Sequence, residues 1–95
     1  MQFFYGVEGR YTDITKSVKV NSSINKYIVI PITDKSRSHI HGDPLPGVLK
    51  NIKIVTPEGK NIYVDSKQSC IIDTRTDDIK ISNPRLFWDK IGRFI

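Results

Sequence analysis

The chain has 95 residues, 38 % hydrophobic and 26 % charged, with a formal net charge of +5 and a pI near 9.5. That length supports one domain and one core, and leaves little room for a deep enzymatic cleft. The balance of apolar and charged residues excludes a disordered chain, and the single cysteine, Cys70, excludes an internal disulfide framework. No apolar stretch approaches transmembrane length and the start has no signal-peptide pattern, so a soluble intracellular protein, cytoplasmic or nuclear, is expected.

In chain order, Phe3 to Tyr5 reads as a short strand ending at Gly6, and Glu8-Gly9-Arg10 as a turn. Val18 and Val20 alternate with Ser17 and Lys19, which predicts a half-buried strand over Lys16 to Val20. Tyr27-Ile28-Val29-Ile30-Pro31-Ile32 is the most apolar run. With both faces apolar, it is expected to be buried on both sides or to carry a partner surface. Thr33 to His41 is polar and basic and reads as a loop.

Gly42-Asp43-Pro44-Leu45-Pro46-Gly47 is a proline-braced loop feeding an extended run over 48–55. Ile52 and Ile54 then share one face. The turn Pro57-Glu58-Gly59-Lys60 and the return strand Asn61 to Asp65 complete a β-hairpin. Two further short strands are predicted at Cys70-Ile71-Ile72 and Ile79-Lys80-Ile81. The absence of alanine and the abundance of isoleucine favour sheet over helix.

The tail reads differently. Asn83 is a good N-cap, Pro84 suits a first helical position, and Leu86, Phe87, Trp88, Ile91 and Phe94 recur at roughly helical spacing. So short a helix must dock on its own sheet or on a neighbouring subunit. The expected fold is therefore an all-β, immunoglobulin-like sandwich over 1–82 with a short C-terminal α-helix over 83–95.

Two chemistries suggest themselves. His39, His41 and Asp43 share parity along an extended segment and could form a weak metal cluster; ordinary solvated side chains are the preferred reading, and no cofactor is expected. Lys35, Arg37, Lys50, Lys53 and Tyr63 could meet nucleic acid, the lysines on phosphate and Tyr63 stacked on a base, against the plainer reading of solvent-facing sheet residues. No nucleophile signature, phosphate loop or facing carboxylate pair supports an enzyme.

The order Tyr5-Gly6, Asp13-Ile14-Thr15, an apolar strand, Gly42-Asp43-Pro44-x-Pro46-Gly47, Lys50 and the Ile52/Ile54 strand resembles a small β-domain. That domain stands alone in some microbial proteins and, diverged, forms the C-terminus of the DnaJ subfamily C member 11 proteins. The resemblance covers residues 5 to 73 and departs from the pattern at Ile40-His41, where an apolar or aromatic residue usually precedes the GDP. It implies an interaction or scaffolding module with no catalytic residues. The expected function is thus a self-associating interaction module, a homodimer, with nucleic-acid binding as the alternative. The Lys- and Ile-rich, alanine-free composition fits an AT-rich genome, a large DNA virus among the candidates.

Overall fold

A computed structural model describes residues 1–83. The tail residues Leu86, Phe87, Trp88, Ile91 and Phe94, with the helix expected there, lie outside the described residues. Among the described residues, eight strands form two antiparallel four-stranded sheets. The first sheet has the order β2 (Arg10–Asp13), β1 (Gln2–Val7), β5 (Asn51–Val55), β6 (Asn61–Val64). The second has the order β3 (Ser23–Ile24), β4 (Tyr27–Ile30), β7 (Ser69–Asp73), β8 (Asp78–Ser82).

Period-two alternation explains the core. Phe3, Tyr5, Ile52, Ile54 and Val64 point inward from the first sheet, and Ile28, Ile30, Cys70 and Ile72 from the second. All are at least 94 % buried, so the two sheets close over one shared apolar layer in a small all-β sandwich. The predicted hairpin is present, with Ile52 opposite Val64 and Ile54 opposite Ile62. The immunoglobulin-like detail stays an expectation from sequence.

Two short helices, packed against each other, complete the described residues. α1 (Thr15–Asn21) replaces the strand expected over Lys16 to Val20. Val18 is fully buried while Val20 is 70 % exposed. Two residues apart on a strand they would share a face; on a helix they lie about 200° apart. The inward pair is Ile14 and Val18, at helical spacing. Asp13 holds the start by accepting from the Thr15 N–H at 2.9 Å.

α2 (Asp34–His41) replaces the loop expected over Thr33 to His41. Thr33 caps it, its Oγ1 accepting from the Ser36 N–H at 3.1 Å, and Asp34 sits favourably in the first turn. Its inward residue is Arg37 rather than an apolar side chain. The extended run expected over 48–55 is a strand only from Asn51, because Lys50 turns inward and the Val48 carbonyl turns to meet it. No helix among the described residues is long and apolar enough to cross a membrane.

Candidate functional site

Each candidate region among the described residues has a definite place. Arg37 and Lys50, two of the five candidate nucleic-acid residues, are not on the surface. Arg37 is fully buried and donates to four backbone carbonyls: Pro31 O (2.9 Å), Val64 O (3.1 Å), Asp65 O (2.7 Å) and Gln68 O (2.6 Å). These lie after β4, at the end of β6 and in the β6–β7 turn, so one guanidinium ties α2 to both sheets. Burial lowers its pKa from the ordinary value, and nearby anionic groups oppose that effect. It remains charged.

Lys50 is 2 % exposed. Its Nζ donates to Asp34 Oδ2 at 2.9 Å, Leu45 O at 3.1 Å and Val48 O at 2.7 Å, and pairs with Asp43 Oδ1 at 2.8 Å. Burial pulls its pKa down, but Asp43 and Asp34 more than offset this, and the group is held above its ordinary value. Asp34 also accepts from the Tyr5 hydroxyl, which lies 2.8 Å from Ser38 Oγ. Burial first, then the Asp34 bond, push the Tyr5 phenol up to about 12.

This cluster accounts for the Gly42–Gly47 loop. Gly42 ends α2 at φ 83° and Gly47 takes φ 78°, values that favour glycine. Asp43 Oδ1 accepts from the Leu45 N–H at 3.1 Å and also meets Lys50. Pro44 and Pro46 stiffen the chain between the glycines. Asp43 is thus occupied with the loop's own geometry.

The histidine pair does not converge with Asp43. On a helix, residues 39 and 41 diverge, and among the described residues no group of three His, Cys, Asp or Glu side chains could hold a metal ion. His39 is exposed on α2. His41 reaches α1, its Nδ1 lying 2.7 Å from Ser17 Oγ and its Nε2 3.4 Å from Ser22 Oγ. Asp13 and Lys16 share this cleft, Asp13 being occupied with Thr15.

Burial lowers the His41 pKa below 6.5. The folded state therefore disfavours the imidazolium, and the unfolded chain binds the proton more readily. Stability is complete above about pH 6.5 and falls as pH drops toward the folded pKa. The urea midpoint is expected to be lower at about pH 5.5 than at pH 7.5, with most of the difference lost in His41→Gln. An unchanged midpoint in the wild type would contradict this role. Cys70 is buried, and burial pushes its thiol up to about 11.

Two exposed sheet faces remain. On the first sheet, one transverse row runs Asp13, Phe4, Lys53, Tyr63 across all four strands. Lys53 Nζ lies 5.3 Å from the Phe4 ring centre and 5.0 Å from that of Tyr11. Tyr11 crosses over Gly6 and donates to Asn51 Oδ1 at 2.7 Å. A Cβ at Gly6 would lie 2.1 Å from the Arg10 carbonyl oxygen, so only glycine fits. Lys53 and Tyr63 were legible as an outward pair. Tyr11 was not, because β2 carries no apolar alternation, and Phe4 was not, because Phe3, Phe4 and Tyr5 are all aromatic and show no inward or outward parity.

On the second sheet, Ile24, Tyr27, Val29 and Ile71 form a shallow apolar cleft of about 270 Å³ with Asn25. Ile24 is 60 %, Tyr27 42 % and Ile71 47 % exposed. Asp73, Asp78 and Lys80 border the adjoining surface by Tyr27 and Ile71. The two-sided apolar run from Tyr27 was the signal for this face.

No family model matches the chain, no curated protein matches it, and no solved structure matches it. The resemblance over residues 5 to 73 therefore stands on its sequence pattern.

Proposed function

We propose that the protein is an interaction module that pairs with a second copy of itself through the outer face of the second sheet. The observation that carries this reading is the exposed cluster of Ile24, Tyr27 and Ile71 around the half-buried Val29. Apolar side chains that neighbour one another on a sheet face gain by being covered. The surrounding charges favour a copy of the same chain as the cover. Arg75 is paired with Asp73, and Asp78 and Lys80 lie on the same surface, so the rim carries both signs and a second copy can complement it. The interaction role implied by the DnaJ-type resemblance supports the same reading.

The cluster is only a fraction of the roughly 800 Å² per partner of a standard interface, so a weak dimer in the micromolar range is expected. Sedimentation of the full chain up to about 500 μM should show concentration-dependent dimerisation. Ile71→Asp should abolish it while leaving the melting temperature within a few degrees, because Ile71 lies outside the core. A wild-type chain that stays monomeric at that concentration, or an Ile71→Asp variant that dimerises equally well, would overturn the proposal.

A further inference from the structure

We propose that the outer face of the first sheet binds single-stranded nucleic acid, Tyr63 stacking on one base and Lys53 neutralising an adjacent phosphate. The site is independent of the dimer face, since it lies on the other sheet.

The argument begins with register. Phe4 in β1, Lys53 in β5 and Tyr63 in β6 are direct cross-strand neighbours, so the two rings sit two strand spacings apart, about 10 Å, with the lysine between them. Tyr11 of β2 reaches across Gly6 to Asn51, which brings its ring to the same lysine, 5.0 Å from Lys53 Nζ. Three rings on one face of a small sheet exceed what cross-strand packing alone requires. Tyr63 is 47 % exposed and has no hydrogen-bond partner for its hydroxyl among the described residues.

Charge identifies the class of ligand. Lys53 makes no ion pair among the described residues; its ammonium rests on the Phe4 and Tyr11 rings. A cation resting on π-faces with no carboxylate partner keeps its charge for a phosphate, while Tyr63 presents an exposed ring to a base. Asp13, the acidic member of the row, is held back by the Thr15 N–H. The chain's net charge of +5 favours a polyanion at long range. Single strands are selected because stacking on a sheet needs an exposed base face, which a duplex hides between its neighbours.

With Arg37 and Lys50 inside the fold, the phosphate contribution is small. Binding is therefore expected to be dominated by stacking, with a shallow salt dependence. The test is fluorescence anisotropy of the full chain with a labelled single-stranded oligonucleotide, beginning at about 20 mM salt. Tyr63→Ala is expected to weaken binding about tenfold or more, and Tyr63→Phe to retain it. Lys53→Gln should weaken binding and reduce the salt slope by about 0.7. Ile71→Asp should leave affinity per chain unchanged, which separates this proposal from the dimer.

Absence of binding at about 100 μM protein would overturn the proposal, as would unaltered affinity in both Tyr63→Ala and Lys53→Gln. Equal affinity for a duplex of the same length, or equal competition by poly-glutamate, would show a different class of ligand and also overturn it.

Discussion

Arg37→Met is expected to destabilise the protein by about 3–5 kcal/mol. The substitution removes a fully buried guanidinium and leaves the carbonyls of Pro31, Val64, Asp65 and Gln68 without their donor. The bond to Val64 O is buried and the other three are partly buried, and an acceptor left inside without its donor loses its hydration and regains nothing. A small domain holds about 5–15 kcal/mol in total, so this is a large share of its stability. The expected loss in melting temperature exceeds about 12 °C. Arg37→Lys is the control that should still fold. An ammonium carries three donors and no planar fork, so it recovers only part of the loss, and a deficit of at least about 1.5 kcal/mol should remain. Denaturant unfolding followed by circular dichroism measures both. A methionine variant melting within a few degrees of the wild type would show that Arg37 does not hold the sheets together.

Lys50→Met is expected to cost about 2–4 kcal/mol, less than Arg37→Met because its anionic partners are partly solvated. The Lys50 side chain is 1 % exposed, whereas Asp34 and Asp43 are 18 % and 36 % exposed. Without the ammonium, Asp34 keeps the Tyr5 hydroxyl and Asp43 keeps the Leu45 N–H. The Leu45 and Val48 carbonyls lose their shared donor. The loop between Gly42 and Gly47 should then exchange its amide hydrogens faster, since Lys50 is what draws it onto the sheet. A double-mutant cycle tests the pairing: Asp34→Asn should cost less in the Lys50→Met background than in the wild type. Additive costs would mean that the two side chains do not act together.

Both arginine and lysine clusters bear on what can be read from a sequence. Strands were legible wherever inward residues were isoleucine or valine at period two, as in Ile52, Ile54, Ile62 and Val64. The same period misled at Val18 and Val20, because the sandwich needed only one of them inside. α2 was illegible for a different reason. Its buried position carries Arg37, and no apolar periodicity announces a helix whose inward contact is a hydrogen-bonded cation. Its one local signal was the cap, Thr33 with Asp34 and Ser36 following. The candidate binding residues divided along the same line. Lys53 and Tyr63 lie outward because they alternate with core isoleucine and valine, whereas Arg37 and Lys50 look identical to surface cations until their partners are known.

Composition, period-two patterning and turn chemistry by themselves determined a small β-rich domain, its central hairpin and the rigid Gly42–Gly47 connection. Those features arise from backbone sterics and local alternation, which act over a few residues. The tertiary structure decided which cations are internal, which residues form helices, and which faces stay open. Those outcomes depend on partners far along the chain, such as Val64 for Arg37 and Asp34 for Lys50. A charged side chain is drawn inside only when distant groups can replace its water, and that condition is met in the folded chain alone.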